Sequence, residues 1–123
     1  MKLQADINPS LNTFTGYGAD YVEVNRQRFT GALVVQPEGD VQPWRAESFE
    51  ALAAEHFAEL LALAPEVVIL GTGERQRFPH PRLTAALFEA RIGFEAMDTR
   101  AACRTYNILM SEGRRVLAAM LPL

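Results

Sequence analysis

Two stretches of this sequence gather residue types that could hold an anion. One is Gly71-Thr72-Gly73, followed by Arg75 and Arg77. Glycines let such a loop turn its backbone N–H groups toward a ligand, and guanidinium groups supply the matching charge. The other is Asp98-Thr99, followed by Arg104 and Asn107. A helix starting at Thr99 would place its positive end, and Arg104 one turn in, where a carboxylate or phosphate could sit. Glu95 and Asp98 stand three apart and could move a proton only in a water-poor cleft. Gly71, Thr72, Gly73, Arg75, Glu95, Asp98, Thr99, Arg104 and Asn107 are thus the candidate ligand-binding residues. The plainer reading is that the glycines make a tight turn and Asp98 caps the helix. The arginines then pair with Glu95, Asp98 or solvent.

The loop matches neither common phosphate cradle. Gln76 stands where the dinucleotide pattern G-x-G-x-x-G needs its third glycine, and no Gly-Lys-Ser/Thr is present. Cys103 could be a nucleophile only with a lowered pKa, and Arg104 lies beside it. Its spacing from Tyr106 and Met110 puts it instead on an apolar helix face, where a free cysteine is a small buried hydrophobe. His56 and His80 lack metal-binding spacing, and one cysteine adds one soft ligand. No catalytic set, metal or cofactor is expected. Tyr17, Phe29 and Trp44 read as packing residues rather than a stacking surface.

The elements that would position these residues follow from the hydrophobic pattern. Residues 1–19 read as an irregular lead-in, with Asn8-Pro9 and a tight turn at Gly16-Tyr17-Gly18. Tyr21 to Asn25 and Phe29 to Val35 predict two strands of a hairpin. Their link, Asn25-Arg26-Gln27-Arg28, lacks the glycine that favours a type I′ turn. Pro37, Gly39 and Pro43 mark a loop ending near Trp44. Ser48 suits an N-cap, and Phe49, Leu52, Phe57, Leu60 and Leu61 keep helical spacing. That predicts a helix over 49–63, stopped by Pro65.

Val67-Val68-Ile69-Leu70 is continuously apolar, as in a parallel strand buried on both faces. A helix starting at Pro81 has Leu83, Ala86, Leu87 and Ala90 inside and ends at Gly93. Phe94 to Met97 is a short strand. Asp98 or Thr99 caps the next helix, whose apolar face is Ala102, Cys103, Tyr106, Leu109 and Met110. Arg100, Arg104, Asn107 and Ser111 form its other stripe. Gly113 stops it, and Val116 to Leu121 is the last strand. The predicted class is α/β: a mixed sheet with an N-terminal β-hairpin, a C-terminal βαβαβ unit, and helices packed on the sheet. If strands 67–70 and 94–97 are neighbours, the glycine loop and Asp98 line one crevice beyond their carboxyl ends.

The 123 residues fit one domain, 1–123. The net charge of −3 argues against nucleic acid as the main partner. A single cysteine excludes an intramolecular disulfide and suggests a reducing compartment. Met1 to Asp6 lacks the apolar core of a signal peptide, and no run of 18 apolar residues occurs. A cytoplasmic location is therefore expected. The apolar tail Met120-Leu121-Pro122-Leu123 could be an edge that pairs with another chain or simply the end of the last strand, and a homodimer is possible because small domains with exposed strands often pair.

Several motifs resemble the Mth938-like domain family, also called the domain of unknown function 498. They are Ile69-Leu70-Gly71-Thr72-Gly73 with Arg75, Phe78-Pro79, and above all Gly93 to Thr99 leading into Ala101 to Asn107. Glu112 to Val116 and Gly16-Tyr17-Gly18 are similar as well. Two departures are Asn25-Arg26, where the family's Asn-Gly would stand, and Ala19-Asp20, where a second glycine is usual. The resemblance implies a mixed α/β sandwich without assigned enzymatic activity. It implies relatives that act in assembly of respiratory complex I beside a second assembly factor at the inner membrane. Two functions are weighed on this basis. One is a non-catalytic protein-interaction or assembly module, peripheral to a membrane complex. The other is a small enzyme or anion-binding protein using the crevice between the Gly71–Arg77 loop and the Asp98 helix.

Overall fold

The polar and apolar residues of this chain sort into two sheets and two separate cores. The computed structural model describes residues 11–123. Asn8-Pro9 and the Met1 to Asp6 reading lie outside the described residues. The first sheet has three antiparallel strands in the order β1-β2-β3: β1 (Phe14–Tyr17), β2 (Val22–Val24) and β3 (Gln27–Phe29). β1 corrects the reading of residues 1–19 as wholly irregular. Its Gly16 hides the strand pattern, and a bulge lies between Phe14 and Gly16. The turn falls later, where the Gly18 N–H donates to the Tyr21 carbonyl.

β2 and β3 join through a two-residue turn. Asn25 and Arg26 both take left-handed conformations, with φ of 51° and 67°. That is the type I′ pattern, reached without glycine. Asn25 holds it with its own side chain: Oδ1 accepts from the Thr13 N–H, and Nδ2 donates to Asn12 Oδ1.

The second sheet is mixed, with five strands. Residues 29–35 are not one strand: the run breaks at Thr30-Gly31-Ala32 and crosses to this sheet as β4 (Leu33–Val35). β5 (Gln42–Pro43) falls in the stretch read as loop. β6 (Val67–Gly71), β7 (Gly93–Met97) and β8 (Val116–Met120) complete the order β5-β4-β8-β6-β7. β6 runs parallel to both β7 and β8, and β4 is antiparallel to β8 and β5. β6 and β7 are thus adjacent and parallel.

The helices lie on both faces of this sheet. α1 (Ala54–Ala58) and α2 (Ala85–Glu89) share a core with Val68, Leu70, Leu117, Ala119 and Trp44. α3 (Thr99–Ser111) and the small sheet share the other, with Val67, Ile69, Ala118 and Met120. Alternate residues of β6 therefore feed opposite cores, which explains its continuous apolar run.

The helix read over 49–63 is shorter. Residues 50–51 form a turn, α1 begins at Ala54, and Glu59–Leu63 is a 3-10 segment. The Ser48 hydroxyl accepts from the Ala51 N–H, closing a local turn. Ala53 is extended, and its N–H donates to His56 Nδ1. The side-chain cap therefore starts the helix there. Ala64 then turns left-handed at φ 50°, just before Pro65. Pro81–Thr84 is also 3-10, and α2 follows it. Gly93 does not end α2; Arg91 takes the left-handed position at φ 59°, and Gly93 begins β7.

Candidate functional site

Five of the candidate residues, Gly71, Thr72, Gly73, Asp98 and Thr99, gather where β6 and β7 end. The peptide groups there are joined to one another. The Thr72 N–H donates to the Met97 carbonyl at 2.8 Å, and the Thr99 N–H to the Gly73 carbonyl at 2.8 Å. The Gly73 N–H donates to Thr99 Oγ1 at 3.1 Å. The one proton of the Thr72 hydroxyl lies between the carbonyls of Arg75, at 2.7 Å, and Met97, at 3.0 Å, and the hydroxyl oxygen accepts from the Arg77 N–H. The Leu121 N–H closes the third side on the Gly71 carbonyl at 2.9 Å. Thr72 and Thr99 are buried. Gly73 has φ 97°, which few side-chain-bearing residues adopt. A side chain on Gly71 would meet Met120: a Cβ there lies 2.6 Å from its terminal methyl.

Asp98 is the N-cap of α3. Its Oδ1 accepts from the Ala101 N–H at 2.9 Å, which decides between Asp98 and Thr99. Thr99 is left to bind the glycine loop. Gly71, Thr72, Gly73, Asp98 and Thr99 thus meet in one junction. Arg75 and Glu95 lie exposed beside it.

Arg104 and Asn107 face the small sheet. Arg104 donates to the Tyr17 hydroxyl at 3.4 Å. Asn107 is buried, accepts from the Phe14 N–H at 2.9 Å and donates to the Phe14 carbonyl at 2.8 Å. Sequence spacing placed Asn107 beside the arginines but could not show that its carboxamide is engaged across the fold. Arg77 turns to the other face. It meets Glu50 at 2.7 Å and stacks 4.0 Å from the Phe49 ring centre. That hydrogen bond holds the Glu50 carboxyl below its ordinary value.

Cys103 is fully buried on the apolar face of α3, and burial pushes its thiol up to about 12. A nucleophilic thiolate needs the opposite shift, so Cys103 is a core residue. Burial likewise raises the Tyr106 phenol, whose hydroxyl donates to the Asn12 carbonyl. His56 Nδ1 caps α1, and His80 Nδ1 accepts from the Arg82 N–H.

Gln76 escaped the sequence reading except as a missing glycine. Its Nε2 donates to the Ala96 carbonyl at 2.9 Å, over the outer edge of β7. A groove of about 450 Å³ near the amino end of β8 is lined by Leu11, Leu63, Met110, Arg114 and Arg115, among others.

Known proteins share this fold. A family model described as a protein of unknown function (DUF498/DUF598) matches residues 14–121. A crystal structure of a Bordetella parapertussis protein is 46% identical with a TM-score of 0.89, covering 95% of this chain and 100% of that one. A solution structure from Bordetella pertussis, described as a Mth938-like domain, is 40% identical with a TM-score of 0.83, covering 99% and 92%. The Bos taurus protein named NADH dehydrogenase [ubiquinone] 1 alpha subcomplex assembly factor 3 is 36% identical over 117 residues. That match takes in 94% of this chain but 63% of the bovine protein. No helix among the described residues is long and apolar enough to cross a membrane. With the family model spanning β1 to the end of β8, and with whole-chain likeness to a Mth938-like domain, the chain belongs to the DUF498/DUF598 family of Mth938-like domains.

Proposed function

We propose that this chain is a non-catalytic protein-interaction module that serves assembly of a membrane-bound respiratory complex. The observation that carries this is the closed junction at the ends of β6 and β7. The backbone N–H groups of Thr72, Gly73 and Thr99, which an anion would need, are bonded to the protein itself. Two further candidates are engaged as well: Asp98 caps α3 and Asn107 holds Phe14. The name of the bovine relative supplies the kind of process. We read residues 1–123 as one domain acting in the cytoplasm, at the periphery of the complex. A partner protein would be met through the exposed apolar side chains Phe78 and Phe88; Ile108 is exposed on α3, on the other face of the sheet.

The test is to delete the gene in its host and resolve membrane NADH dehydrogenase on native gels. Accumulated subassemblies, restored by the full chain, are expected. Normal amounts of finished complex would overturn the proposal. The anion-binding alternative has its own check, a thermal-shift screen of phosphate and carboxylate metabolites against the chain and Arg104→Ala. Stabilisation lost with Arg104 would favour that reading instead.

A further inference from the structure

Among the described residues, β7 is an outer strand of the five-stranded sheet. Its Gly93 N–H donates to the Glu66 carbonyl, and its Met97 carbonyl accepts from the Thr72 N–H, both on the β6 side. Peptide groups alternate sides along a strand, so Glu95 also faces β6 while Phe94 and Ala96 face outward. Outward groups on an edge are a template for another strand. Here one is already covered, because Gln76 Nε2 takes the Ala96 carbonyl where an incoming N–H would bind.

Consider a second copy paired antiparallel along this edge. The register that uses the outward groups of both residues sets Phe94 opposite Ala96 of the copy, and Ala96 opposite Phe94. Glu95 then falls directly opposite Glu95 of the copy. Opposed Cβ atoms sit about 5 Å apart, so the two carboxylates repel. The same position would attract a lysine or arginine. Glu95 is exposed, so its charge is available. Phe78, two residues beyond Gln76, and Phe88, on α2 ahead of β7, are 73% and 86% exposed. They are exposed apolar side chains close in sequence to the edge.

We infer that β7 is a guarded strand-accepting edge: Gln76 and Glu95 close it to a second copy, and it takes an extended partner segment with a basic residue opposite Glu95. This inference rests on the partner-binding reading above and names the partner's chemistry. The bound segment replaces the Gln76 carboxamide with its own backbone N–H, and binding energy comes from main-chain bonds plus the ion pair.

The chain itself can supply both strands for a test. Two variants are made, Gln76→Ala and Gln76→Ala with Glu95→Lys; both side chains are exposed, and circular dichroism checks the fold. Each alone opposes like charges and is expected to remain monomeric in light scattering. Mixed one to one, they oppose lysine to glutamate, and a doubling of mass is expected. Amide exchange of the mixture should slow at Phe94 and Ala96. Monomers in the mixture, doubling by either variant alone, or protection that spares Phe94 and Ala96 would each overturn the inference. No outside partner is used, so failure here leaves the assembly reading to its own deletion test.

Discussion

Asn107 holds Phe14 by both of its backbone groups, across 93 positions of sequence. β1 is an outer strand of the small sheet. The carboxamide does what a neighbouring strand would do there, giving one donor and one acceptor. Asn107→Ala would strand the Phe14 N–H and carbonyl in a buried place. The expected loss is on the order of 3 kcal/mol in urea unfolding. Asn107→Asp should lose a similar amount at neutral pH, since it sets a second acceptor against the Phe14 carbonyl. A loss within error for either variant would mean β1 is held by other contacts.

Arg26 holds a left-handed conformation that glycine adopts freely. Its side chain is exposed, and its N–H donates to Thr15 Oγ1, which substitution would leave intact. Arg26→Gly is therefore expected to raise stability by about 1 kcal/mol. A rise in melting temperature of a few degrees would report it, and a fall would show that the arginine side chain matters more than the turn.

Gly71 lets Met120 and α3 close over the end of β6. Gly71→Ala is expected to cost about 1–3 kcal/mol, because Met120 is buried and must shift. In a Met120→Ala background the same substitution should cost much less. A double-mutant cycle in chemical denaturation measures this coupling, and strict additivity would remove Met120 as the cause.

Cys103 and Tyr106 lose stability on the alkaline side. In the unfolded chain the thiol ionises near 9.0, whereas in the fold burial holds it protonated to about 12. The unfolded state thus carries fewer protons between those values, and stability falls as pH rises through that window. Each such group contributes a slope of about 1.4 kcal/mol per pH unit. Well below pH 9 the thiol should add no slope. Cys103→Ala should give a shallower alkaline decline in urea midpoints. An unchanged slope would show that the thiol is not the titrating group.

The parts of the fold that were legible had local causes. α3 carries its own start at Asp98, its stop at Gly113 and an apolar face through Cys103, Tyr106 and Met110. β6 announces itself because it feeds two cores at once. The errors came from causes that the apolar pattern does not carry. The break of residues 29–35 between two sheets depends on where β8 lies, which no local pattern states. The start of α1 depends on His56 reaching back to Ala53, an effect that the apolar spacing from Phe49 onward conceals. At the junction, sequence made the meeting of the glycine loop and Asp98 conditional on strand order, and β6 and β7 are neighbours. It could not show whose carbonyls the loop amides would meet.

The small sheet comes from residues 14–29 alone, an uninterrupted stretch, and none of its strands is inserted between strands of the larger sheet. Fluctuations should therefore lift it as a leaf, while the five strands behind stay bonded. What such a lift uncovers is the Cys103 face of α3, because Phe14, Tyr17, Val22 and Val24 share that core. The lone thiol then becomes a clock. The rate at which it reacts counts how often the leaf opens, and its ratio to the global unfolding rate measures how independently the two layers live.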